Sequence, residues 1–468
     1  MLHEGNHMLE THVRPIRALA VLVVCAGLTA LAATAQEPAD RLATAAQQSS
    51  VEQPSALPSG RTDYRTLADY EHDMLALAEE HPDLVQPFTL PHRSTEGRAV
   101  MGIEVTRDVR ARDGKPVLLI VGMHHGNEWA SGEATMEFGF DLADNPRHDP
   151  AIERLLGRVR VVLVPVVNVD GFVRNTRRTA TNVDMNRNYG FGWGESPPFQ
   201  GSGPFSEPET RNMRDLISSR QVTTFLTVHT CLANMLYPPL QHKAGLPQDI
   251  ERFRSFAGAM SLQNGYPHLT SADDFETTGE AIDWSYYATR GLGVTVEICA
   301  TPPGTPRNFQ TLVVDQYLGT GSLAGRGNRG AFLVALQQAA DRDEHARISG
   351  QVRPGAELTI SKSFDLWTNP IPQADGSVRP SPIATDLTSS MEVTRENGEF
   401  TWHVNPSVRP EPPYQADGVH AENRGFIQEW WTLTCGRPDG TVLQTVLVDV
   451  DLGELEQVNL DRCRRLLN

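Results

Sequence analysis

The sequence lacks three things, and each absence removes a class of protein. It lacks positive charge: 41 Lys and Arg stand against 58 Asp and Glu, a formal charge of −17. No basic run or Lys/Arg stripe breaks that excess, which argues against a nucleic-acid partner. It lacks apolar runs of the ~20 residues a membrane helix needs, the longest being residues 18–31. It also lacks any repeat of 20–50 residues, so a solenoid or propeller array is excluded. What remains is a chain of 468 residues, 39% apolar, with material for a sizeable core and for two or three domains.

The short apolar run reads as an export signal. Arg14 and Arg17 flank it, and Ala33-Thr34-Ala35 fits a small-x-small cleavage site after Ala35. Cys25 faintly resembles a lipoprotein cysteine, but Val24 is bulky where a small residue is expected. Residues 1–35 are thus expected to be a signal peptide, with Met8 a possible true start. Residues 36–60, rich in Ala, Gln, Ser and Pro, read as a disordered linker. The mature chain keeps Cys231, Cys299, Cys435 and Cys463. An even number in an exported protein suggests two disulfides, with three pairings possible.

Periodicity divides the rest. Thr66 reads as the cap of a helix with Leu67, Tyr70, Met74 and Leu77 on one face, stopped by His81-Pro82. Strands are expected at residues 100–105, 115–122, 159–167, 223–228 and 293–298. Helices are expected after Trp129 up to Asn145-Pro146, after Ser206, from Ile250 and over residues 330–340. Alternation of this kind implies an α/β fold: a mixed, mostly parallel sheet with helices on both faces. From residue 343 short alternating segments lie between Pro/Gly-rich turns, near residues 357–361, 391–394, 400–404, 430–434 and 442–448. They predict a small C-terminal β-sandwich domain, 343–468, after a first domain at 61–342.

The chemistry concentrates at Gly122-Met-His-His-Gly-Asn-Glu-Trp129, directly after the apolar run Pro116-Val-Leu-Leu-Ile-Val121. Open α/β sheets place their sites at such carboxyl ends of strands. His125 and Glu128 supply a nitrogen and an oxygen donor. Hydrolytic zinc wants three protein ligands and one open position, and His229, in Thr227-Val-His-Thr230, ends another expected strand. A second histidine, His124, alternates with His125 and should point away.

With this third donor the chain resembles the zinc carboxypeptidases of the carboxypeptidase A type, from about Tyr64 to Ala340. His125, Glu128 and His229 match that family's zinc set, implying one Zn²⁺ per chain. Asn168-Val-Asp-Gly-Phe172 resembles its Asn-Pro-Asp-Gly turn. The resemblance makes Arg174 the cation that polarises the scissile carbonyl. Asp184-Met-Asn-Arg-Asn188 matches a segment in which Asn186 and Arg187 clamp the substrate's terminal carboxylate, with Asp184 structural. Glu297, in Val294-Thr-Val-Glu297, fits the spacing of the family's general base. His229 and Glu297 would then end at the same zinc, which favours a Cys231–Cys299 bridge. Cys435–Cys463 would be the second, within the β region.

The chain departs from that pattern at named positions. Phe275 stands where the family has a substrate-capping tyrosine, and Asn127 where an arginine is usual inside His-x-x-Glu. Ile282 falls at the base of the specificity pocket and suggests apolar terminal side chains, although Asp273 and Asp274 nearby could favour Lys or Arg. The resemblance implies a secreted or periplasmic zinc metallocarboxypeptidase acting on peptide or protein C-termini through a zinc-activated water, with no membrane contact after signal removal. Two alternatives stand beside it. One is a zinc amidohydrolase of cell-wall stem peptides or acylated amino acids. The other is a non-catalytic secreted peptide-binding protein.

Overall fold

Thr66 starts the first helix, Leu67–Glu80, by a reciprocal pair of bonds: its hydroxyl accepts from the Asp69 N–H, and the Asp69 carboxylate accepts from the Thr66 N–H. Tyr70, Met74 and Leu77 are its buried face. The computed structural model describes residues 56–144, 149–196, 198–299 and 308–464, all within one compact unit, 54–468. The expected signal peptide, most of the expected linker and the helix end at Asn145-Pro146 lie outside the described residues. Residues 56–60, the last of that linker, are anchored at two points. Leu57 is buried, and the Ser59 N–H and hydroxyl both donate to Glu137, at 3.0 and 2.6 Å.

Eight strands form the main sheet: β1 (Val85–Thr89), β2 (Met101–Val105), β3 (Val117–Gly122), β4 (Arg160–Val164), β5 (Val222–His229), β6 (Met235–Tyr237), β7 (His268–Thr270) and β8 (Leu292–Glu297). Their order is β1-β2-β4-β3-β5-β8-β6-β7. The centre, β4-β3-β5-β8, is parallel throughout. Every residue of these four strands is buried, so both faces of the sheet's centre are covered, as their continuous apolar runs demand. The helices Trp129–Asp144, Asn328–Ala340 and Ala281–Thr289 supply much of that cover. Because the four strands run the same way, Gly122, His229 and Glu297 end on one edge. His229 and Glu297 are register partners.

Three strands escaped the sequence reading. Pro87 breaks the pattern of β1, which is tolerated because β1 is an edge strand. β6 and β7 have only three residues each. The helix Pro208–Ser218 is preceded by Glu207, not Ser206, as its cap. The Ser206 hydroxyl instead accepts from Asn188 Nδ2 at 2.9 Å and donates to Glu207 at 3.0 Å.

The C-terminal region is β-rich. Strands Glu357–Trp367, Pro382–Glu392, Trp431–Gly436 and Val442–Val448 make one sheet, and Ala346–Gln351, Glu399–Val404 and Leu455–Gln457 another. The strand expected around residues 391–394 is instead the end of the longer Pro382–Glu392. Ile348, Leu358, Trp402 and Trp431 belong to a second apolar cluster, separate from that of the main sheet. Polar bonds join the region to the main sheet: Arg290 reaches Asp451 at 2.6 Å, and Asn405 Nδ2 donates to the Val222 carbonyl at 2.8 Å. Disulfides join Cys231 to Cys299 and Cys435 to Cys463.

Candidate active site

The loop after β3 is pressed against the turn at residues 168–171. A Cβ on Gly126 would stand 2.1 Å from the Gly171 carbonyl carbon, so only glycine permits the approach. Gly126 N–H donates to the Arg177 carbonyl at 3.3 Å, and Asn168 Nδ2 donates to the His124 carbonyl at 3.2 Å. Held in this way, the loop splits its two histidines. His124 is wholly buried, with Nε2 2.7 Å from the Tyr189 hydroxyl and Nδ1 2.9 Å from Thr227 Oγ1. His125 faces the strand ends.

There it meets the other two donors. His125 Nδ1 lies 2.7 Å from Glu128 Oε1, His229 Nδ1 lies 3.0 Å from Glu128 Oε2, and the two Nδ1 atoms are 3.1 Å apart. All three side chains are buried, with one ligating atom of each within 4.8 Å of the others. The far nitrogens are occupied: His125 Nε2 bonds Asp184 at 3.1 Å, and His229 Nε2 faces Thr227 Oγ1 at 3.0 Å. Both rings therefore turn Nδ1 to the same spot beside a carboxylate. That donor set suits zinc, and the outer bonds are of the kind that orient ligating imidazoles. The charges follow. For His125, burial opposes protonation, but Glu128 and Asp184 outweigh it and hold the ring up at about 9. For Asp184, burial is overcome by His125 and the flanking arginines, which hold its carboxyl well below the usual range.

These donors open on a cavity of about 210 Å³, whose walls include Arg177, Asn186, Arg187, Phe275, Glu280 and Glu297. Glu297 is 8% exposed, and its Oε2 is buried without a hydrogen-bond partner among the described residues. Burial and the nearby Glu128 carboxylate push it up to about 8. Asn186 Oδ1 accepts from the Ala281 N–H at 3.1 Å, which leaves its amide nitrogen for other bonds. Arg187 Nη1 donates to Glu280 Oε1 at 2.7 Å and to the Asn186 carbonyl at 2.6 Å. Phe275 is 42% exposed on the rim, its ring centre 5.7 Å from the Arg187 guanidinium carbon. The Cys231–Cys299 disulfide, with Cα atoms 4.5 Å apart, ties the chain just beyond His229 to the chain just beyond Glu297. A larger cleft, about 590 Å³, opens near the other end of the strands, where Arg160 and Arg220 are both paired with Glu104.

Two expected site residues are elsewhere. Arg174 closes the short helix Val169–Val173 and points outward. It is 45% exposed, pairs with Glu96 and bonds the Ala180 carbonyl. The arginine of this segment that reaches the cavity is Arg177, one turn later, with Nε 2.9 Å from Asp184 Oδ2 and Nη1 3.6 Å from Glu128 Oε1. Ile282 is fully buried and packs on Gly293 of β8, where an added Cβ would stand 3.3 Å from the Ile282 Cβ. It does not line the cavity. Glu280, the residue before that helix, does. Asp273 and Asp274 are exposed, and Asp273 is occupied by Thr270 and His242. The sequence reading missed the parts of Arg177, Glu280 and Thr227. Only the first had a signal, as one of three arginines in Arg174-Asn-Thr-Arg-Arg178.

The family model described as zinc carboxypeptidase matches residues 70–310. Carboxypeptidase B of Rattus norvegicus is 27% identical over 222 residues, 41% of this chain and 52% of that protein. An inactive metallocarboxypeptidase of Talaromyces stipitatus is 24% identical over 245 residues, 41% of each chain. The chain spans about half the length of the curated relatives it matches. Among solved structures, carboxypeptidase A from Helicoverpa armigera superposes with a TM-score of 0.52 at 21% identity, covering 59% of this chain and 74% of that one, a likeness of fold. The chain belongs to the zinc carboxypeptidase family. Among the described residues no helix is long and apolar enough to cross a membrane.

Proposed function

We propose that this protein is an exported zinc metallocarboxypeptidase that releases single residues from peptide or protein C-termini. The observation that carries the reading is the meeting of His125, Glu128 and His229 on one cavity that also holds two arginines and a carboxylate, Glu297, whose Oε2 has no hydrogen-bond partner among the described residues. His125, Glu128 and His229 would hold one zinc ion, which when bound supplies a Lewis acid and an acidified water. Glu297, whose Oε2 is buried on the cavity wall beside the three donors, takes and returns a proton. Arg177 offers a fixed cation where the scissile carbonyl oxygen gains negative charge. Asn186 and Arg187 grip the terminal carboxylate, Arg187 through its planar fork, and so restrict cleavage to chain ends. The presence of an inactive relative makes the retained donor set and Glu297 the features to test.

The experiment is C-terminal trimming of a mixed peptide pool, read by mass spectrometry. Stepwise loss of single terminal residues is expected, abolished by a chelator and lowered at least a hundredfold by Glu297→Gln. Release of acyl groups or cell-wall fragments alone would replace the carboxypeptidase reading with an amidohydrolase. Peptide binding without cleavage by the zinc-loaded protein would make it a binding protein.

A further inference from the structure

One carboxylate on the cavity wall has no part in the hydrolysis described above. Glu280 is 4% exposed, and its one hydrogen bond to a side chain among the described residues is that from Arg187. It is held there by the backbone. Gly279 has φ +72°, and an added Cβ would stand 2.5 Å from the Arg187 carbonyl oxygen. The Tyr189 N–H donates to the Gly279 carbonyl at 2.9 Å. The same wall includes Leu236 and Thr295, cross-strand partners on β6 and β8.

Resting on the carboxypeptidase reading, we infer that Glu280 is the residue that selects the substrate's terminal side chain, and that it selects a cationic one, Lys or Arg. The argument is one of charge. A terminal carboxylate gripped by Arg187 shares that guanidinium with Glu280, which already holds its Nη1. Two buried carboxylates then lean on one cation, and incompletely compensated buried charge is costly. An apolar terminal side chain leaves that deficit in place. A basic side chain removes it, because its head restores a partner to Glu280 while its methylene stem lies along Leu236. The apolar preference suggested by Ile282 loses its basis, since that side chain does not reach the cavity. The exposed Asp273 and Asp274 are not needed.

The test compares zinc-loaded wild type with Glu280→Gln and Glu280→Asp on matched synthetic peptides ending in Lys, Arg, Leu or Phe. Binding of free lysine and free leucine is measured in parallel by calorimetry. Wild type is expected to favour Lys and Arg ends by at least tenfold in kcat/KM. Glu280→Gln should shrink that ratio at least tenfold, chiefly through KM, and Glu280→Asp should restore part of it. A wild-type preference for Leu or Phe, or a ratio unmoved by Glu280→Gln, overturns the inference. So does an equal gain on all four peptides, which would make Glu280 merely a competitor for Arg187. Absence of any cleavage overturns the proposed function instead, and the binding arm then decides: equal affinity for lysine and leucine sinks the role of Glu280.

Discussion

Two arginines three residues apart offer the sharpest check on the assignment of roles. Arg177 brings a guanidinium to within 3.6 Å of Glu128 Oε1 at the cavity wall, whereas Arg174 turns to Glu96; the side chains are similarly exposed, 42% and 45%, so their partners and not their exposure separate them. Unit charges about 4 Å apart interact by roughly 4 kcal/mol at an effective dielectric of 20. Loss of one preorganised oxyanion donor costs about 2.7–4 kcal/mol, or 10²–10³ in kcat. Arg177→Ala should therefore lower kcat by roughly 10²–10³ with little change in KM. Arg174→Ala removes an exposed ion pair worth about 0–1 kcal/mol of stability and should leave kcat within about twofold. Both are measured by steady-state kinetics on a C-terminally blocked and an unblocked peptide. Arg177 also bonds Asp184 at 2.9 Å, so the zinc content of each variant is measured alongside and rates are expressed per bound metal. If Arg174→Ala proves the damaging change, or Arg177→Ala costs less than tenfold per bound zinc, the placement of the oxyanion beside Arg177 is wrong.

Two further outcomes follow from the same coordinates. Asp184→Asn deprives His125 Nε2 of an ionised acceptor 3.1 Å away and should weaken zinc binding about 10–100-fold in competition with a chromogenic chelator; a change under twofold would contradict its orienting role. In the β-rich region His345 Nε2 and His403 Nδ1 lie 2.6 Å apart. Burial, aided by Arg347 and other arginines, holds His345 down to about 4, and burial with His345 holds His403 down to about 3. An unfolded chain protonates both near 6.5, so it binds more protons than the folded chain between about pH 6.5 and 4. Stability should then fall as pH drops through that window, by up to about 1.4 kcal/mol per pH unit for each ring. Thermal unfolding of a His345→Gln/His403→Gln variant should show a flatter acid limb, and parallel curves would falsify this account.

What could be read from the sequence was whatever a continuous pattern carries. Val117–Gly122 is apolar at almost every position because both its faces are covered, and the His-x-x-Glu that follows announces itself by position. His229 and Glu297 end strands of the same kind. Illegible were features set by a turn of backbone. Nothing in Arg174-Asn-Thr-Arg-Arg178 tells that the helix Val169–Val173 ends with Arg174 facing outward, so that Arg177 arrives at Asp184. Ile282 and Glu280 are two positions apart at a helix start, and the choice of which one meets the cavity depends on how that helix seats on Gly293. β6 and β7 are too short to show an alternation of their own.

Gly279 separates what such a pocket can vary from what it must keep. Its backbone at φ +72° and its closeness to the Arg187 carbonyl admit no side chain without moving Arg187. The adjoining Glu280 starts the next helix without a side-chain cap bond, and its carboxylate goes to Arg187 instead. On the inferred role of Glu280, single replacements at 280 would alter selectivity while 279 stays glycine. Engineering of selectivity therefore has one free letter set beside one that is spoken for.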